Sequence, residues 1–141
     1  MGATMSERWL RAALGYLTLF SLQVGVWALV APQSFYDDFP GFGRVWVSVD
    51  GPYNEHLIRD VGALNLALAV VFVAAAVTLS RALILTAAGA AAVWGLPHLL
   101  YHLLNTDGLS GGDLVASLGG LVLFAAVPAA LVVLSRRPVI A

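Results

Sequence analysis

Apolar residues fill this chain in four long runs, Trp9–Ala31, Leu57–Leu79, Ala82–Leu104 and Leu114–Leu134, and polar residues are confined largely to the segments between them. Each run has about 20 residues or slightly more, the length a helix needs to cross a roughly 30 Å hydrocarbon core. The expected fold is therefore all-α, a polytopic membrane four-helix bundle. The runs take up most of residues 1–141, so a single integral membrane domain is expected, with no separate soluble one. The first run is longer than the roughly 7–15-residue apolar core of a cleaved signal sequence. Leu29-Val30-Ala31 also lacks a small-x-small cleavage pattern, so this run is expected to remain as a helix.

The connections differ in kind. Ser80-Arg81 alone joins the second and third runs, which predicts a tight helical hairpin whose two helices pack together. Asn105–Asp113 joins the third and fourth and turns at Gly108, Gly111 and Gly112. Within it, Ser110-Gly111-Gly112-Asp113 has the spacing of a capping box. Pro138 marks the end of the fourth run. The long first loop, Pro32–Pro52, holds Phe35, Tyr36, Phe39, Phe42 and Trp46, with Tyr53 just after it. Such rings serve either as an interfacial anchor or as a lid folded over the bundle. Ser34–Phe39 reads as a short helix stopped by Pro40-Gly41, and Val45–Val49 as extended chain. Gly62, Ala63, Ala67, Ala88, Ala92, Ala116 and Gly120 are the small residues expected at helix contacts. Pro97 and Pro128 interrupt the third and fourth runs.

Composition narrows the function classes. Charged residues make up 11% of the chain, against about 25% in ordinary soluble domains, and the mean hydropathy is +0.89. There is no cysteine, which excludes disulfides, thiolate metal sites and dithiol redox chemistry. The methionines Met1 and Met5 lie at the opposite end from the polar residues, against a soft copper(I) site. The net charge of −1 argues against a nucleic-acid partner. Arg8, Arg11, Arg81, Arg136 and Arg137 fall on one side of a four-span topology, and only Arg44 and Arg59 on the other. By the positive-inside rule both termini are cytoplasmic, and the expected location is a bacterial inner membrane.

All three histidines fall at helix ends that this topology brings to the extracytoplasmic side. The second run opens Tyr53-Asn54-Glu55-His56-Leu57-Ile58-Arg59-Asp60, where Glu55/Arg59 and His56/Asp60 are i,i+4 neighbours. Acidic groups there also suit a helix N-terminus. In the third run, His98, His102 and Asn105 share one face with Trp94. Ionisable groups at membrane depth are costly and mark functional sites. His98 and His102, with His56, Glu55 and Asp60, are candidate metal ligands for Zn, Fe or Mn, and a haem is the less favoured alternative. Without a metal, Glu55, His56 and Asp60 are candidate catalytic acid–base groups. Arg59, Trp94, Tyr101, Asn105 and Trp46 are candidate contacts to a small amphipathic ligand. The competing account for the histidines is capping at a helix C-terminus. Gln23 and Asn65, deeper in the spans, are expected to hydrogen-bond between helices, with a pocket floor as the alternative.

Ala31-Pro32-Gln33-Ser34-Phe35-Tyr36-Asp37-Asp38-Phe39-Pro40-Gly41 and Arg59-Asp60-Val61-Gly62-Ala63-Leu64-Asn65-Leu66-Ala67-Leu68-Ala69 resemble small bacterial four-helix membrane proteins of the broad DoxX-like group. The resemblance covers the first two spans, about half the chain. It implies the four-helix fold and transfers no shared activity, and His98 and His102 lie outside it.

The leading expectation is a membrane protein that binds a metal ion or metal cofactor in an extracytoplasmic polar pocket between spans two and three. The alternatives are a metal-free acid–base enzyme or lipid- or quinone-binding protein, and a structural subunit of a membrane complex. The expected partners are the lipid bilayer, a small amphipathic ligand, and a second copy or another membrane protein. The topology is directly testable. Cysteines placed singly at Gly108 and Arg81 should react with an impermeant reagent in intact cells at 108 and not at 81. The reverse pattern would overturn the orientation.

Overall fold

The computed structural model describes residues 4–136. It contains α1 (Met5–Val30), a short α2 (Pro32–Asp38), α3 (Glu55–Thr78), α4 (Arg81–Leu104) and α5 (Gly111–Ser135). Met1, Arg137 and Pro138 lie outside the described residues. The four long helices are each long and apolar enough to cross a membrane, and the chain is a multi-pass membrane protein. They follow the apolar runs and extend them at polar ends where a cap is available. Thr4 and Glu7 form a reciprocal capping box on α1, and Asn54 Oδ1 accepts from the Leu57 amide to start α3. The α3–α4 hairpin turns at Leu79, which takes the left-handed conformation (φ 50°) that closes a helix C-terminus.

The bundle has two ends. One carries the α3–α4 hairpin and the outer ends of α1 and α5, and is called the hairpin end below. The other carries the first loop and the α4–α5 connection, and is called the loop end. The hairpin end is densely packed: Leu10, Leu14, Leu17, Phe72, Ala75, Ile84, Ala87, Ala91 and Leu131 are buried in one cluster that all four helices share. At the loop end, a smaller cluster of Val24, Ala28, Phe35 and Ile58 comes from α1, α2 and α3 only. No residue of α4 beyond Gly95 is buried.

The tight turn between α3 and α4 does not make them the closest partners. α1 packs most extensively on α3, and α4 on α5. Glycine decides this. A Cβ on Gly62 would lie 2.7 Å from the Leu29 backbone nitrogen and 3.0 Å from the Gly25 carbonyl oxygen, so the α1 and α3 backbones touch. Gly95 similarly admits the Phe124 ring, 2.9 Å from where a Cβ would sit. Of the small residues expected at contacts, Gly62 and Ala88 are buried and Ala92 is half-buried. Ala63, Ala67 and Ala116 face outward, and Gly120 is also exposed. Small-residue spacing does not specify which face of each helix turns inward.

The first loop is structured. Its helix starts two residues earlier than Ser34, with Pro32 in the first turn, where its missing N–H costs nothing. Pro40–Gly41 (β1) pairs antiparallel with Arg44–Val45 (β2). The stretch expected to be extended to Val49 instead leaves the strand after Val45 and forms a 3₁₀ turn at Ser48–Asp50. Ser110 occupies the N-cap of α5, but its hydroxyl makes no capping bond: the Asp113 amide donates to the Ser110 carbonyl, and the Asp113 carboxylate that would complete the box is engaged by the loop. Gln23 faces outward. Asn65 is fully buried and donates to the Val61 carbonyl of its own helix at 2.9 Å, so the expected interhelical bonds are not formed.

Gly62 and Gly89 predict changes of opposite sign. Gly62→Leu should wedge α1 from α3 and destabilise by about 1–3 kcal/mol, the usual cost of overpacking. At Gly89 an added Cβ meets nothing within 4 Å. Gly89→Ala should therefore stabilise by about 0.5–1 kcal/mol, the helix-propensity difference. Unfolding followed in mild detergent checks both.

Candidate functional site

The unfilled loop end is a cavity of about 410 Å³, bounded by all four long helices and roofed by the first loop. Phe20 and Val24 of α1, Ile58 and Val61 of α3, and Leu121 and Phe124 of α5 form much of its wall. Phe20 and Phe124 meet at its inner end, with ring centroids 5.1 Å apart. Phe35, Phe39 and Trp46 reach it from the loop. Phe35, Phe39 and Trp46 therefore fold over the bundle as a lid, whereas Tyr36 does not line the cavity and Phe42 is fully exposed at the hairpin tip.

Two polar contacts hold the lid down on α5. Arg44 Nη1 donates to Asp113 Oδ1 at 2.6 Å, and Trp46 Nε1 donates to the same oxygen at 2.9 Å. At its other side, the Tyr36 hydroxyl donates to the Gly51 carbonyl, and Tyr36 packs edge-on against Tyr53. Desolvation, with the Glu55 charge adding, raises the Tyr53 phenol above its ordinary value.

Polar groups enter the cavity mainly from Asp50, His98, His102 and Ser117. His98 and His102 are one helical turn apart on α4, as their spacing predicts, with ring centroids 4.8 Å apart. The His98 ring stacks on Trp94 at 5.0 Å and 20°. His102 is 14% exposed, and its Nε2 lies 3.9 Å from Asp50 Oδ2, an electrostatic pair longer than a hydrogen bond. A recess of about 10 Å³ beside this pair, bordered also by Asn105, Gly108 and Ser117, has room for about one water.

The other sequence candidates are elsewhere. Glu55, His56 and Asp60 are exposed and do not line the cavity. His56 Nε2 is 3.3 Å from Asp60 Oδ2, and Arg59 Nε donates to Glu55 Oε1 at 2.8 Å. Arg59 also donates to the Leu29 carbonyl, which ties α3 to α1. These are the i,i+4 pairs that one helix satisfies by itself. The face of α3 that turns inward is Ile58, Val61, Gly62 and Asn65, and the helical period sends His56 and Asp60 to the opposite side. The expected joining of His98 and His102 with Glu55, His56 and Asp60 is thus not formed. The tight hairpin that suggested it lies at the far end of both helices. Among the described residues, no three His, Asp or Glu side chains are placed to share a metal ion. Of the ligand candidates, Trp46 and Trp94 line the cavity. Asn105 bonds back to the Tyr101 carbonyl at 2.8 Å and borders the small recess, while Tyr101 is 47% exposed with its ring against His102.

Sequence reasoning missed Asp50, Ser117 and the Asp113 latch. Ser117 carried a signal, because it is the only polar side chain in α5 between Asp113 and Ser135. Asp50 carried none, since its approach to His102 depends on how the loop folds. No protein-family model matches the chain, nor does any curated protein or solved structure.

The latch and the capping box make opposite predictions. Asp113→Ala should release the roof and raise backbone hydrogen exchange over residues 39–47, while Ser110→Ala should change stability by less than about 0.5 kcal/mol. A larger loss at Ser110 than at Asp113 would restore the capping account.

Proposed function

We propose that this protein binds a small amphipathic molecule in the loop-end cavity, with its apolar part among Phe20, Val61 and Phe124 and its polar head at His98, His102 and Asp50. One observation carries the reading: an apolar chamber of about 410 Å³ whose polar groups are few and belong to neighbouring elements. That volume falls within the roughly 300–1,000 Å³ of small-molecule sites, which are typically apolar with a few placed polar groups. An imidazole offers the head one donor and one acceptor, and Asp50 favours the His102 orientation that turns one ring nitrogen toward the carboxylate. Lipids and quinones are the ligand classes with this division of character.

Metal-ion binding by His98 and His102 has less support, because Glu55, His56 and Asp60 point away from them. The arginine distribution supports an extracytoplasmic position for the cavity, with a bacterial inner membrane as the proposed location. The DoxX-like resemblance accompanies this reading without adding an activity. Its residues do packing work here: Phe35 roofs the chamber, and Gly62 seats α3 on α1.

Gly120 lines the cavity, and an added Cβ would meet nothing within 4 Å. Gly120→Phe should therefore fill the chamber without strain. Native mass spectrometry of protein purified in mild detergent should find a bound amphiphile in the unaltered chain. At least tenfold less is expected in Gly120→Phe, with thermal stability equal or higher. Treatment with a metal chelator should leave the amphiphile bound. Equal retention in both proteins would overturn the reading, and release by the chelator would favour the metal.

A further inference from the structure

We infer that the cavity is filled sideways from the membrane, through the seam between the loop-end halves of α3 and α4, by a lipid-phase molecule whose chain remains in that seam. The inference rests on the binding reading above and adds the ligand's source and route.

The seams of the bundle are unequal. α1 and α3 are joined by backbone contact at Gly25 and Gly62, and Arg59 adds a bond to Leu29. α4 and α5 are closed where the Phe124 ring covers Gly95. α1 and α5 are bridged by Phe20 on Phe124, and above them the Trp46–Asp113 bond straps the roof to α5. The seam between α3 and α4 changes along its length. Its α3 flank runs from Ala75 at 0% exposure and Leu68 at 8% to Leu57 at 59%. Its α4 flank runs from Ala87 at 0% to Tyr101 at 47%. The helical period puts Leu57 and Val61 on the side of α3 away from Arg59, whose bond to Leu29 marks the α1 side.

Leu57 marks the opening: it lines the cavity and is 59% exposed, whereas Gly120, also an exposed lining position, lies on α5 between the Phe20–Phe124 bridge and the Trp46–Asp113 bond. The chamber therefore reaches the outer surface of the bundle at Leu57, within one turn of the α3 N-cap, at the level of the outer leaflet. Leu57 and Val61 make the α3 edge of that opening apolar. From above, the chamber is covered by Phe35, Phe39 and Trp46 under two hydrogen bonds to Asp113. His102 lies about 12 Å from Trp94 along α4, counting 1.5 Å per residue. A head held at Asp50 and His102 thus leaves its chain running inward past Trp94 or out past Leu57. An acyl or prenyl chain fits both paths. A compact water-soluble solute has use for neither.

Photolabelling tests the route in the full chain, reconstituted into phosphatidylcholine vesicles that carry a small fraction of phosphatidylcholine with a diazirine on one acyl chain. Label is expected on Trp94–His102 and Ser117–Phe124. Leu57→Trp should reduce it about tenfold. Val70→Trp, an equally bulky change on an exposed position of α3 away from the seam, should leave it within twofold. Cysteines at 44 and 113 joined by a short bifunctional maleimide hold the roof shut, and this staple should also leave labelling within twofold. If Leu57→Trp does not insert, a staple between cysteines at 57 and 101 replaces it, with the same tenfold loss expected. Labelling that is unaffected at Leu57, or that the roof staple abolishes, would overturn lateral entry while the binding reading stands. Absence of cavity label in the unaltered protein would overturn both.

Discussion

The α1–α3 contact at Gly25 and Gly62 sets the geometry on which the rest depends. In lipid there is no hydrophobic drive between helices, so close backbone approach and dispersion must hold them together. The two glycines allow it here, and α1 and α3 form one unit on which α2 lies. α4 and α5 form the other unit through Gly95 and Phe124. Leu14, Leu17, Phe72, Ala75, Ile84, Ala87 and Leu131 bring the two units together at the hairpin end. At mid-depth the Phe20–Phe124 pair fills the space between them, and beyond it the loop-end halves of α4 and α5 stand off from α1 and α3. The chamber is the space left between the two units there.

The roof follows from the chamber. Its floor and walls are apolar and membrane-embedded, but its loop end would be open to water. The first loop closes it with aromatic rings, whose large apolar area and few rotatable bonds make a cover of low entropic cost. Arg44 and Trp46 converge on one oxygen of Asp113, so a single carboxylate holds both the strand and the ring. Asp50 arrives with the same loop. The element that excludes water thus also brings the charge beside His102.

The residues that looked most chemical in the sequence divide by helix face. Glu55, His56, Arg59 and Asp60 are dense in charge, yet each has a partner within its own helix, and Arg59 serves the α1 contact. His98 and His102, spaced by one turn amid leucines, share a face by their period, and that face turns inward. The i,i+4 pattern identified pairs correctly in both places. It carried no information on which pairs face the bundle, because that depends on which flank of α3 meets α1.

The chain's local pattern determined the four helices, their lengths, the hairpin at Ser80-Arg81, the short helix after α1 and the shared face of His98 and His102. Each of these follows from hydropathy, turn residues or helical period within a few turns of chain. Tertiary structure alone decided the pairing of α1 with α3, the capture of Asp113 by the loop, the meeting of Asp50 with His102, and the outward turn of His56 and Asp60. Those outcomes depend on contacts between residues far apart in sequence. They are chosen by where a missing Cβ lets backbones touch and where a large ring holds them apart.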